Sequence, residues 1–150
     1  MKYGVGIDVS KGKSTVAILS INGEVIEMPF DINHDVEDLE KLDKKLQEFS
    51  KEDLKVLLEQ TGTYHLPILT YLLDKGYCVI AENALKIKKY LDRSLRKAKT
   101  DKKDSLKLAE YVCDNWYKLK VNFIEEEKYK ELRFLSRQYF SLNSMKVQQK

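Results

Sequence analysis

The segment from Tyr3 to Val9 narrows the fold more than any other stretch of this chain. Tyr3, Val5, Ile7 and Val9 alternate, so they share one face of a strand. The other face carries Gly4 and Gly6, which offer no side chain, so something must pack closely there. Ser14 to Ile21 reads as a second strand and Glu24 to Phe30 as a third. Asn22-Gly23 between them suits a type I′ hairpin turn, in which both residues adopt positive φ. The chain therefore opens with three antiparallel strands.

Further on, the pattern changes from hairpins to alternating helices and strands. Val36, Leu39, Leu42, Leu46 and Phe49 make the apolar stripe of a helix capped by Asn33 or Asp35. Leu54 to Leu58 is a short, nearly continuous apolar run, as expected of a central buried strand. Thr61-Gly62-Thr63 turns the chain, and Thr63 is placed to cap a helix from Tyr64 to Lys75 that Gly76 closes. Tyr77 to Ala81 is a fifth strand. Helices are expected over Leu85–Leu95 and, capped by Thr100, over Asp101–Tyr117, the latter buried through Leu106, Ala109, Val112 and Cys113. The order βββαβαβαα predicts an α/β fold: a mixed five-stranded sheet with helices on both faces, the ribonuclease-H-like arrangement.

Composition bounds the possible partners. The 150 residues are 43% hydrophobic and 34% charged, enough for one domain with a real core and a polar surface. No apolar run reaches the roughly 18 residues of a membrane helix, and the N-terminus lacks a signal-peptide stretch. A cytoplasmic protein without a membrane partner is expected. Cys78 and Cys113 stand apart without metal-type spacing and read as buried reduced thiols. Net charge is only +3, but it is unevenly spread. Residues 31–59 hold ten acids against five bases; residues 86–107 hold ten bases against three acids, a local excess of +7. Such a block neutralises phosphates and releases counterions, although a solvated helix face has the same composition. Arg93, Arg96, Lys97, Lys99, Lys102 and Lys103, with Lys11, are the expected nucleic-acid contacts.

Four acids carry the chemistry. Asp8 lies near the end of the first strand, where an acid is poor for sheet stability. Glu59 ends the central strand beside a glycine-containing turn, where α/β sheets place sites. Asp101 and Asp104 are three apart, so they share one helix face, and Leu108 on that face turns it inward. Singly, each has a plain structural role: turn former, exposed strand end, helix-dipole acid. Together they would meet at one sheet edge, because the first and fourth strands are neighbours in such a sheet and the last helix crosses their ends. Clustered carboxylates call for a cation, and hard oxygen ligands select Mg2+ or Mn2+. Such ions activate a nucleophile and steady a leaving oxygen in phosphoryl transfer. Thr61 and Tyr64 are placed either to steer Glu59 or to cap and pack. His65 and Trp116 read as structural, and His34 has no informative context.

Gly6-Ile7-Asp8-Val9-Ser10-Lys11, Glu59-Gln60-Thr61-Gly62-Thr63-Tyr64-His65 and Lys99-Thr100-Asp101-Lys102-Lys103-Asp104-Ser105 with Leu108-Ala109 resemble the three blocks of the DEDD-type insertion-sequence transposases. That family has a RuvC-like N-terminal domain and includes the Piv-type invertases and the bridge-RNA-guided recombinases. The resemblance implies that Asp8, Glu59, Asp101 and Asp104 are a catalytic, metal-binding tetrad. It implies DNA as substrate, strand cleavage and rejoining as the reaction, and a structured guide RNA as a further partner. Glu82-Asn83 stands where the family usually has Asn-Pro, and Ser105 where Ala is common; neither departure is expected to touch the tetrad.

Leu132, Leu135, Tyr139 and Leu142 form a short heptad seam in a helix expected over 125–150, which fits homo-oligomer pairing or packing on its own domain. The expected division is a RuvC-like catalytic domain over 1–120 and, over 121–150, the start of a long helix. By the resemblance this helix leads to a serine-bearing domain that the sequence does not include. Two other functions share parts of this pattern. One is a non-catalytic nucleic-acid-binding and dimerisation module. The other is half of an actin-like ATPase or sugar kinase, whose first strand also ends in Gly-Ile-Asp.

Overall fold

The computed structural model describes residues 1–60, 62–92, 101–119, 130, 131, 134, 135, 137, 138 and 142, without the side chains of 84, 90–92 and 101–103. Five strands form one sheet: β1 (Tyr3–Ser10), β2 (Lys13–Ser20), β3 (Val25–Asn33), β4 (Leu54–Glu59) and β5 (Cys78–Glu82). Their spatial order is β3-β2-β1-β4-β5. β1 pairs antiparallel with β2 and parallel with β4; β3 extends the antiparallel side and β5 the parallel side. Helices α1 (Val36–Leu46), α2 (Leu66–Asp74), α3 (Ala84–Asp92) and α4 (Asp101–Asp114) complete the fold. The expected mixed five-stranded α/β sheet is present.

The core has two sides because the sheet is covered on both. On one side Val5, Ile7, Val9, Val56 and Leu58 pack against Leu39, Leu42 and Leu46 of α1 and Ile68 and Leu72 of α2. On the other, Leu57 and Ile80 pack against Ile87 of α3 and Leu108, Val112 and Trp116 of α4 and the turn after it. α4 lies almost bare against β1. A methyl group at Gly6 would stand 2.2 Å from the Ser105 carbonyl oxygen and 2.4 Å from the Ala109 nitrogen; one at Gly4 would stand 2.8 Å from the Ala109 oxygen. Lys55, the one charge inside the apolar run of β4, points to the same side. Its ammonium lies 4.8 Å from the Trp116 ring centre and donates to the carbonyls of Trp116 and Leu119, where cations suit a helix C-terminus.

Several local expectations change. Asn22 has negative φ, and only Gly23 (φ 89°) is left-handed. Gly23 N–H donates to Ser20 O and Ser20 N–H to Glu24 O, so Ile21-Asn22-Gly23 is a three-residue loop rather than a type I′ turn. β3 runs on to Asn33 and tolerates Pro29 because it is an edge strand with a register shift beside it. Asp35 caps α1, accepting from Asp38 N–H at 2.8 Å; the helix stops at Leu46, yet Phe49 still packs on Tyr3 at 4.6 Å between ring centres. α2 begins at Leu66, and Thr63 does not cap it. Pro67 has no N–H to give a preceding carbonyl, which confines it to the first turn. β5 ends at Glu82, one residue beyond the expected Ala81. Cys78 and Cys113 are free thiols, half-buried rather than buried.

Gly6→Ala is expected to destabilise the protein by about 1–3 kcal/mol or more, because backbone rather than a flexible side-chain end blocks the added methyl. Urea unfolding of wild type and variant reads this directly; equal midpoints would mean that α4 does not rest on β1.

Candidate active site

Strand alternation decides which acids face α4. On β1 the residues meeting α4 are Gly4 and Gly6, so Asp8 is next on that face. On β4, Leu57 faces α4 and Glu59 follows it. Ile7 pairs with Leu58, which makes Asp8 and Glu59 the next neighbouring positions. Both acids are half-buried at the carboxyl ends of parallel strands.

The same line continues across the whole sheet. Asp8 pairs with Thr15 on β2, and Thr15 with Asp31 on β3. Glu59 pairs with Glu82 on β5, where Ile80 marks the α4 face. One transverse row thus reads Asp31, Thr15, Asp8, Glu59, Glu82. Its ends are partly neutralised: Thr15 Oγ1 donates to Asp31 at 2.8 Å, Lys13 lies 3.3 Å from Asp31, and Lys86 lies 3.8 Å from Glu82.

α4 approaches this row with its first turn. Ser105 O lies over Gly6, and two strand residues advance by about 6.6 Å, little more than one helical turn of ~5.4 Å. Moving from Gly6 to Asp8 therefore corresponds to moving from Ser105 back to the start of α4, where Asp101 and Asp104 stand. Glu59 registers the approach. Burial, and then the negative charge of Asp104, push its carboxyl above the ordinary carboxylate range. Among the described residues no three His, Cys, Asp or Glu side chains are grouped closely enough to hold an ion. Carboxylate oxygens are hard donors, and Glu59 sits where burial and a neighbouring acid disfavour its charge, so the donor set suits Mg2+ or Mn2+.

Placement of the other expected residues is mixed. Lys11 is exposed in the turn after β1. Lys102 and Lys103 fall in the first turn of α4. Arg93, Arg96, Lys97 and Lys99 lie outside the described residues, as does Thr61. Tyr64 is exposed, whereas His65 is buried at the start of α2 and its ring is held below the ordinary histidine range by burial. His34 is buried against Ser14, Nε2 to Oγ 2.7 Å, which ties β3 to β2. Trp116 is core. The residue that sequence reasoning missed is Glu82. Its expected strand ended one position early, and the alternation of Cys78, Ile80 and Glu82 is the signal that places it beside Glu59. Ser105, fully buried, presses its carbonyl on Gly6. Both departures from the family pattern therefore adjoin the acids instead of lying apart from them.

Metal-free Glu59→Gln protein is expected to melt above wild type. The carboxyl of Glu59 is raised in the folded state, so its ionisation penalty is absent below the ordinary carboxylate range and grows as pH rises through the raised value. The gap between the two proteins should close in acid and widen as pH rises above the ordinary carboxylate range, read by thermal melts in chelator. A pH-independent gap would remove the electrostatic cause.

Comparison with known proteins fits this layout. RuvC of Thermus thermophilus superposes with a TM-score of 0.55 at 11% identity, over 77% of this chain and 96% of that one. The same organism's RuvC in complex with a Holliday junction substrate gives 0.54 at 10% identity, over 79% and 96%. At such identities the likeness shows the fold, which is RuvC-like. No curated protein sequence matches. The sequence profile of the IS110-type DEDD transposases, described as a transposase, matches residues 5–150, nearly the whole chain, and this chain belongs to that family.

Proposed function

We propose that this chain is the metal-dependent catalytic part of a DNA transposase or site-specific recombinase. The observation that carries the reading is the placement of Asp8 and Glu59 as neighbours on the α4 face, with Asp104 close enough to raise the Glu59 carboxyl. Asp8, Glu59, Asp101 and Asp104 would hold Mg2+ or Mn2+ through carboxylate oxygens. The ion would supply charge neutralisation and an activated oxygen nucleophile for phosphodiester cleavage and strand transfer. In this reading β1 and β4 would hold two of the ligands at strand ends, and α4 would bring the other two, three residues apart in its first turn. Lys11, Lys102 and Lys103, with Arg93, Arg96, Lys97 and Lys99, would bind the DNA backbone and hold the scissile phosphate against the acids. Residues 1–120 form the catalytic unit in this reading, and 121–150 begin a helix that pairs two copies. Leu135 and Leu142 of its seam are helical and exposed within one chain, which supports the pairing. A serine nucleophile would come from a separate domain, and a structured guide RNA would choose the target. No helix among the described residues is long and apolar enough to cross a membrane. Belonging to a transposase family favours this reading over an actin-like ATPase or sugar kinase.

Manganese titration tests the site. Wild type should bind Mn2+, and at ~100-fold excess over Kd the ion should stabilise it by about 2.7 kcal/mol; Asp8→Ala and Asp104→Ala should show neither effect. No metal-dependent stabilisation in the wild type, with DNA binding retained, would leave only a nucleic-acid-binding and dimerisation module. Arg93→Ala/Arg96→Ala/Lys97→Ala should weaken DNA binding at all sequences and flatten its salt dependence by about 0.9 per lost phosphate contact. Unchanged binding and slope would take the basic block out of the account.

A further inference from the structure

Beside the carboxylate row, the sheet edge opens into a cleft of about 370 Å3 between α3 and the C-terminal half of α4. Its volume falls in the roughly 300–1,000 Å3 range of small-ligand sites. Ile80 of β5 and Leu119 make its apolar floor. Lys86 and Lys118 stand on its rim, Tyr111 and Asn115 on its α4 wall, and Glu82 at the end that meets the row.

Each wall has a distinct chemistry. Lys86 is largely exposed, and its contact with the mostly buried Glu82 is long at 3.8 Å, so its ammonium can turn outward to a phosphate. Lys118 is exposed on the opposite rim. Tyr111 offers part of an aromatic ring, which stacks on any base. The Asn115 carboxamide is oriented by its own Nδ2 donating to Tyr111 O at 3.0 Å. Glu82 would repel a phosphate at the inner end, so a nucleotide must enter base first. A carboxylate there accepts from an exocyclic amine, as acids do from cytosine N4. The cleft is also near the acids. Glu82 is one strand from Glu59 and two from Asp8, about 5 and 10 Å across the sheet.

The geometry points to this cleft as the binding site for one unpaired, amine-bearing nucleotide of the DNA strand that flanks the scissile phosphate. The inference rests on the proposed transposase reading and adds a strand path to it: phosphates on Lys86 and Lys118, base on Tyr111 against Glu82. It assigns a role to the edge of β5 that the four family acids do not cover.

Fluorescence anisotropy with the whole chain and labelled single strands of dC or dT, in chelator at neutral pH, tests it. Wild type should prefer dC over dT by about tenfold, the ratio expected of one good hydrogen-bonded base contact. Lys86→Ala/Lys118→Ala should weaken dC binding and flatten the salt dependence by about 1.4, two contacts at ~0.7 each. Lys41→Ala/Lys44→Ala on α1, across the sheet, removes the same charge and should change neither. Glu82→Gln, whose amide accepts and donates, should reduce the dC preference. If the α3–α4 pair behaves as the α1 pair does, or if dC and dT bind alike in wild type, the cleft is not the site. Wild type that binds neither strand overturns the DNA reading and this inference together. Strand binding without manganese binding overturns only the metal site.

Discussion

The contact between α4 and β1 sets the position of everything at the candidate site. Gly4 and Gly6 leave no room for even a methyl group under Ser105, Ala109 and Val112, so the helix backbone itself is the second surface of the core there. Close packing of this kind is unforgiving, since protein interiors have few voids to absorb a shift. It fixes the axial position of α4 against β1, and that position places the first turn of α4 over the strand ends. Lys55 secures the other end by donating to the carbonyls of Trp116 and Leu119. The acids are thus placed by apolar packing and two glycines, not by attraction among themselves.

Electrostatics oppose the arrangement. Glu59 is held above the ordinary carboxylate range by burial and by Asp104, so the fold works against the charge it displays. The two-sided core offsets this: Leu57, Leu108 and Val112, on the same face of the sheet, are almost wholly buried. Each fully buried large aliphatic side chain contributes about 1.5–3 kcal/mol, so a few are enough to carry one disfavoured carboxylate. A cation bound there, as proposed, would relieve that cost.

Periodic features of the chain were legible, and features that depend on register were not. The period-2 alternation of Tyr3–Val9 marked β1, and Gly4 and Gly6 announced the close approach that α4 makes. The run Leu54–Leu58 announced a central strand. Both signals are local and repeat. The α2 start differs because Pro67, which cannot donate inside a helix, outweighs Thr63 as a marker of where the helix begins. The Asn22-Gly23 turn was misread because a three-residue loop uses the same residues with only Gly23 left-handed. Glu82 was missed for a different reason. Its place beside Glu59 depends on a parallel ladder between strands separated by a helix, and a strand boundary wrong by one residue hides its face. Asp8, Glu59 and the α4 acids stand out in the sequence only as three short blocks taken together, since no single block identifies a site.

The row Asp31, Thr15, Asp8, Glu59, Glu82 also explains how a chain this rich in both charges keeps them in order. At each end of the row a lysine partly offsets the outer acid, Lys13 for Asp31 and Lys86 for Glu82, while the centre is approached by a further acid, Asp104. The exposed pair of Lys13 with Asp31 is weak, and the contact of Lys86 with Glu82 is long at 3.8 Å, so both lysines can exchange a carboxylate for a phosphate. Negative potential is therefore concentrated in the middle, where a divalent ion would be drawn, and mobile positive charge sits at the flanks, where a strand's phosphates would pass. A duplex or single strand laid along the row would meet cation, carboxylate centre and cation in turn. Such a sequence of charges would orient a polyanion across the site instead of repelling it, and it follows from strand register together with the placement of α3 and α4.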